Sequence, residues 1–394
     1  MRIVLPIGFL LLALVVGCGG SSDDKRAAAS SGTAVQGLEP SEAARMVEFL
    51  EGAREMDLGL GAAQKTDYAA IQKTIQASFL AEEPELGSPK VVRSGDWTVT
   101  TVEELRSALG RAAPGQVVFI EAGAILDLTG TPSIRVPRGV TVASYRDPPA
   151  SEGALLYTND LGAKLFLAGD EVAFNGLNLM GPDPTTRTYQ LERLAMKGGS
   201  DLYYAVPAAT GILCEAKDVA IENCEIWGWG FAGVAFRGGA RGTVRHCFIH
   251  HNQRRGLGYG VYVDEAVVKI EVNLFDWCRH CVSASGKPET GYEARYNFVL
   301  MNTSGHAFDM HGGADRDDGT DIAGSWAWIH HNTVEAAQFP GVVIRGTPID
   351  QIRIYNNRFR NPDPTRTIML LKGPERIEVT ANQFGVTSIQ QKQR

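Results

Sequence analysis

The sequence predicts an all-β chain folded as a right-handed parallel β-helix, a solenoid with an N-terminal capping helix and a small helical segment ahead of it. Three observations carry this reading. One short unit, a strand ending at a polar anchor, recurs at Asn223, His246, Asn273, Asn297, Asn332, Asn357 and Asn382. Successive anchors lie 23, 27, 24, 35, 25 and 25 residues apart, the period of stacked supersecondary units. A second alternating strand recurs within each period, and 44 glycines in 394 residues supply the turns that such coils need.

The first element is an export signal. Arg2 precedes an apolar run over 3–16, which is shorter than the roughly 20 residues that a membrane-spanning helix needs. The run ends in Val15-Val16-Gly17-Cys18, which resembles the bacterial lipoprotein cleavage box. That resemblance implies removal of residues 1–17 and a lipid at Cys18, holding the chain to a bacterial envelope and facing the periplasm or the exterior. Residues 18–39, rich in Gly, Ser, Ala and Asp, read as a flexible tether. Residues 40–90 read as a helical segment, because Ala43, Ala44, Met46, Val47 and Leu50, then Ala69, Ile71, Ile75, Phe79 and Leu80, follow helical spacing. The stretch 82–89 breaks that pattern.

The β-helix domain is expected over 91–394. Thr101 with Glu104 three residues on opens a short amphipathic helix over 101–109, which leads through Ala113-Pro114-Gly115 into the strand 117–120. A solenoid has an open end, and a helix there covers its core. The 35-residue interval contains the polar run 312–324, a loop insertion.

The formal net charge is −7, from 38 Lys and Arg against 45 Asp and Glu. Cleavage after residue 17 removes one base, Arg2, and no acid. Such a chain has no general attraction to nucleic acid, and a polyanionic ligand would need a locally basic groove. We expect a monomer. Beyond Cys18, the cysteines are Cys214, Cys224, Cys247, Cys278 and Cys281, an odd number. Cys224 and Cys247 occupy the same place in consecutive coils, about 4.8 Å apart by strand spacing, and form a candidate disulfide. Cys278-Arg279-His280-Cys281 has CxxC spacing, but without a second CxxC or paired His it makes no strong zinc signature.

The cap helix with Pro114-Gly115, the segment Arg138-Gly-Val-Thr-Val-Ala-Ser144 and the segment Val172-Ala-Phe-Asn-Gly-Leu-Asn-Leu-Met-Gly181 together resemble the pectin-lyase-like superfamily. Within it they are most similar to the alginate lyase and chondroitinase group of polysaccharide lyase family 6, over about residues 95–385. The resemblance implies β-elimination on a uronate polymer, with a Lys base ahead of an Arg-Tyr-Asn strand and an Arg acid one coil later. Lys287 stands similarly ahead of Arg295-Tyr296-Asn297, but Met310 of Asp309-Met310-His311-Gly312 occupies the place of that Arg.

Strand alternation supplies the working face. With Val261, Val263, Phe308, Met310, Val342 and Ile344 inside, one outward column reads Arg237, Asp264, Ser285, His311, Arg345, Lys372. Its neighbour reads Ala235, Tyr262, Ser283, Asp309, Val343, Leu370. β-Elimination needs a base, a cation to neutralise the uronate carboxylate and an acid for the leaving oxygen. His311, Lys287 and Tyr262 are candidate bases or acids, Arg345 and Arg279 candidate neutralisers, and Asp309 joins His311 on one strand. His280, Asp264 and Arg237 complete the face as candidate substrate-binding residues. His250, His251, His330 and His331 are expected to bond backbone at turns. Asp315, Asp317, Asp318 and Asp321 are candidate Ca2+ ligands, although their spacing is not that of an EF-hand loop.

These features together point to an envelope-anchored or secreted carbohydrate-active enzyme, a polysaccharide lyase with an acidic polysaccharide as partner. Two alternatives stand beside it. One is a glycoside hydrolase using Asp264 and Asp309, two rungs or roughly 9.6 Å apart, against the ~6.5–9.5 Å of inverting enzymes. The other is a non-catalytic glycan-binding surface lipoprotein.

Overall fold

A computed structural model describes residues 83–147, 151–183, 207–254 and 256–386. The expected signal peptide, the lipidation site Cys18, the tether and residues 40–82 of the helical segment lie outside the described residues. Among those described, no helix is long and apolar enough to cross a membrane.

The described residues wind into three parallel sheets of 11, 10 and 9 strands, in which each strand pairs with its counterpart one coil on. The first sheet carries Val219–Glu222, Arg241–Arg245, Val267–Glu271, Gly291–Arg295 and Trp326–His330 among its strands. The third carries Ala232–Arg237, Tyr259–Asp264, His280–Ala284, Phe308–Met310 and Val342–Ile344. Inside the coils Val234, Val261, Val282, Phe308 and Val342 stack at full burial, as do Ile221, Val244, Ile270, Ala294 and Ile329 of the first sheet. Each such aliphatic side chain contributes about 1.5–3 kcal/mol relative to exposure.

The helix Val102–Leu109 covers the open end as expected. Thr101 accepts from the Glu104 amide, and the Glu104 carboxylate accepts from the Thr101 amide at 3.2 Å, which closes a capping box. Leu105, Ala108 and Leu109 enter the core.

The anchors are corrected by one residue in the first two coils. Glu222, Arg245, Glu271 and Arg295 share a register, so Cys224 and Cys247 stand beneath Asn273 and Asn297. Asn223 and His246 instead join Val272, Tyr296, His331, Asn356 and Ala381 in a column of left-handed turn residues, at φ of 53° to 56°. The true ladder is Asn273, Asn297, Asn332, Asn357 and Asn382. Asn297 donates to the Ile270 carbonyl at 2.8 Å and to Asn332 Oδ1 at 3.0 Å, and its own Oδ1 accepts from Asn273. Below the ladder, Cys247 donates its amide to Asn273 Oδ1 at 3.0 Å.

The expected Cys224–Cys247 bridge is not formed. Both are free buried thiols that turn back on carbonyls, Cys224 on Glu222 at 3.3 Å and Cys247 on Arg245 at 3.2 Å. Cys278 and Cys281 are also free and face the interior, and burial pushes the Cys278 thiol up to about 12.

Residues 83–90 are not helical, apart from a single 3-10 turn at Pro84–Leu86. They begin a strap that runs back along the outside of the coils. Tyr296 donates to Glu83 at 3.2 Å, the Lys90 amide donates to Glu222 at 3.0 Å, and Arg93 pairs with Asp147 at 3.2 Å. Leu86 is buried among Phe248, Val272, Leu274, Tyr296, Phe298 and Leu300, outside the main core. The break in pattern at 82–89 therefore marks the start of this strap, ahead of the first strand at Trp97–Val99.

Candidate active site

Strict alternation fails at one place in the third sheet, and that failure builds the site. A Cβ on Gly260 would meet the Phe275 ring at 3.0 Å, so position 260 faces inward, as does Val261 beside it. Cys281 and Val282 repeat the double inward step one coil on. The residues just before, Tyr259 and His280, therefore turn outward. Tyr259 packs beside Tyr262, and its ring stacks on that of His280 at 5.9 Å and 9°.

The centre of the face is Asp309, whose carboxylate is fully buried. Arg345, one rung above and two positions along, grips it bidentately, Nε to Oδ1 at 3.0 Å and Nη2 to Oδ2 at 3.1 Å. His311 Nε2 lies 2.9 Å from Oδ2. His280 Nε2 stands 3.7 Å from Oδ2, and His306 Nδ1 stands 3.6 Å from Oδ1. Burial alone would raise the Asp309 pKa, but the Arg345 guanidinium that grips it holds the carboxyl well below the usual range. Burial, with Arg279 nearby, holds His280 well below 6.5, so it is a neutral imidazole. Arg345 also reaches Asp315 at 3.5 Å.

The remaining expected residues fall into smaller groups. Lys287 pairs with Asp264 and with Glu265, both at 3.0 Å. Burial would lower its pKa, yet the two carboxylates carry it above the ordinary value, so it is held as a cation. Tyr262 is buried edge-on to Phe231 at 5.0 Å, and the Arg237 guanidinium covers both rings, at 4.9 Å from Phe231 and 5.4 Å from Tyr262. Arg279 is half-buried beside His280. In the last coil the register is one residue off the expected one. Val343 faces Met369 and Ile344 faces Leu370, so Lys372 falls out of the column and pairs with Asp321.

The four loop acids do not converge on a calcium-like cage. Asp315 accepts from the Gly312 amide and faces Arg345, Asp318 bonds Arg316 and Thr320, and Asp321 binds Lys372. Asp317 ends the short helix Gly313–Arg316 in a left-handed conformation. Arg316 pins the insertion to the coil by donating to the Ser285 carbonyl at 2.7 Å and the Ile322 carbonyl at 3.0 Å. Among the described residues, the group able to hold a metal is instead His280, His306 and Asp309.

The turn histidines bond side chains as well as lying beside turns. His250 bonds Glu225 at 3.2 Å and His251 at 2.7 Å, and His330 repeats the pattern with Glu293 and His331. His306 and Tyr259 were not among the residues singled out from the sequence, and Asp315, expected as a Ca2+ ligand, faces Arg345 instead. His306 was within reach, because it precedes Phe308 by the same two residues that separate His280 from Val282.

Residues 200–384 match the family described as the right handed beta helix region. The fold is a right-handed parallel β-helix. Among curated proteins, none matches the chain. Solved β-helix structures similar to it include an alginate lyase from Paenibacillus sp. str. FPU-7, at 15% identity, covering 73% of this chain and 94% of that one, with a TM-score of 0.43. The A-module of a mannuronan C-5 epimerase from Azotobacter vinelandii aligns at 12% identity over 73% and 95%, with a TM-score of 0.44. A family 28 exopolygalacturonase from Yersinia enterocolitica aligns at 12% identity over 76% and 63%, with a TM-score of 0.39.

Proposed function

We propose that this β-helix is an envelope-anchored enzyme, lipidated at Cys18, that cleaves an acidic polysaccharide by β-elimination. The observation that carries the reading is the 2.9 Å contact between His311 and the buried, ionised Asp309 on the outward face of the third sheet. In this reading the Nε2 proton of His311 faces that carboxylate, and Nδ1 is assigned as the base for the proton beside the uronate carboxylate. Arg345 is committed to Asp309 and Asp315, so Arg279 is assigned to neutralise the substrate carboxylate. Tyr262 is assigned to protonate the leaving oxygen. Lys287, held protonated by two acids, stabilises the face and is not the base.

The same charges disfavour hydrolysis. That chemistry needs one carboxyl of the pair protonated, but Arg345 holds Asp309 ionised and Asp264 is paired with the Lys287 cation at 3.0 Å. Incubation with alginate, pectate and glycosaminoglycans tests the reading. Ultraviolet absorbance from unsaturated products on at least one polymer is the expected result. Reducing ends without unsaturation would replace the lyase with a hydrolase, and binding without products would replace it with a non-catalytic glycan-binding lipoprotein.

A further inference from the structure

We propose that His280, His306 and Asp309 form a binding site for a divalent transition-metal ion of the zinc class. Their donor atoms all lie within 4.8 Å of one another. The two Asp309 separations, 3.7 Å from Oδ2 to His280 Nε2 and 3.6 Å from Oδ1 to His306 Nδ1, are too long for hydrogen bonds and place one oxygen beside each ring. They approach the ~3.3–3.4 Å between two ligands that sit ~2.0–2.1 Å from one tetrahedral ion.

The second observation is the tautomer of His280. Its Nδ1 stands 3.0 Å from the His306 carbonyl oxygen, which can only accept, so the proton is on Nδ1. The Nε2 lone pair then faces a carboxylate oxygen, and this buried atom has no hydrogen-bond partner among the described residues. Two lone pairs facing each other in a dry site repel. A cation between them turns the repulsion into two bonds. A ring nitrogen donating to a backbone carbonyl while its opposite nitrogen faces the ion is the arrangement by which proteins orient metal-binding histidines.

The surroundings hold this geometry. Tyr259 stacks on the His280 ring, and a Cβ on Gly305 would stand 3.2 Å from His280 Cε1, so the imidazole is packed on both counts. Arg345 fixes the Asp309 carboxylate and donates to His306 Nδ1 at 3.5 Å, a contact that an entering ion replaces, while Asp309 and Asp315 balance the charges of Arg345 and Arg279. Two nitrogen donors favour a zinc-like ion over calcium, which takes oxygen ligands. Three protein ligands leave a fourth position for water or a ligand oxygen, and His306, with a quarter of its side chain exposed, opens that position to solvent. The site shares Asp309 with the proposed base pair but does not depend on which polymer is cleaved.

The test is titration of the chelator-stripped, full-length protein with Co2+ alone, followed by competition with Zn2+. The expected result is one equivalent of Co2+ with the visible absorption of a nitrogen-coordinated ion, displaced by Zn2+. His306→Ala, at a partly exposed position, is expected to fold normally by circular dichroism and to bind at least about tenfold more weakly. Zn2+ is expected to raise the Tm of the unaltered chain and not that of His306→Ala. Absence of the absorption band overturns the proposal. So does wild-type affinity in a folded His306→Ala, or loss of binding only when Asp317, Asp318 and Asp321 are replaced by Asn. No polymer cleavage enters these readouts, so the lyase reading and the metal site fail separately.

Discussion

Asp309 is fully buried, so its charge is tolerable only because Arg345 grips it and three imidazoles surround it. Removing one partner of such a pair costs about 3–5 kcal/mol, because the other charge stays buried and unpaired. Asp309→Ala leaves Arg345 with Asp315, 3.5 Å away, and is therefore expected to lower unfolding stability in urea by up to that amount. Adding Arg345→Met to Asp309→Leu is expected to cost less than the two single changes summed, and a double-mutant cycle measures the difference. Period-two alternation placed Asp309, His311 and Arg345 on one outward face. It could not place His280, because two successive residues turn inward at Cys281 and Val282. Nor could it show that Lys287 is neutralised by Asp264 and Glu265, since that pairing depends on side chains from two coils meeting in space.

At the scale of elements, the Asn ladder ties the later coils together. Asn297 is fully buried and satisfies donors and acceptors in the coils on either side, whereas Asn382 at the end of the ladder is partly exposed. Each buried group left unpaired costs about 1–3 kcal/mol. Asn297→Ala is thus expected to destabilise the chain clearly more than Asn382→Ala, as thermal or urea unfolding will show. The same ladder explains a one-residue slip in the sequence reading. Asn suits both the ladder and the left-handed turn position just before it, so Asn223 looked like a rung when it is the turn residue. Cys224 and Cys247 then take rung positions that no spacing of Asn could reveal. The capping box, by contrast, was legible from Thr101 and Glu104 alone, because its bonds are local.

For the whole molecule, acid sensitivity follows from the buried His246 and His280 and the half-buried His251. Burial, with His250 adding to it, lowers His251 from 6.5 to about 3, and burial also lowers His246 and His280. In each the folded pKa lies below the unfolded one. The contribution is full above pH 6.5 and declines as the pH falls toward 3, because the unfolded chain takes up protons that the folded chain refuses. Tm is expected to fall through that window, and His251→Gln to flatten the decline. The N-terminal reading has its own check. Cys18→Ala is expected to move the protein from the membrane fraction to the soluble fraction of cells expressing it.

The proposed chemistry rests on His311 as the base, held by Asp309. The direct measurement is the rate of unsaturated product formation on a cleaved uronate polymer by the unaltered chain, His311→Gln and Lys287→Met. We expect His311→Gln to lose about 10²- to 10⁴-fold in kcat with its circular dichroism unchanged, while Lys287→Met keeps most of its rate. A full rate in folded His311→Gln, or abolition of activity by Lys287→Met alone, would contradict the account.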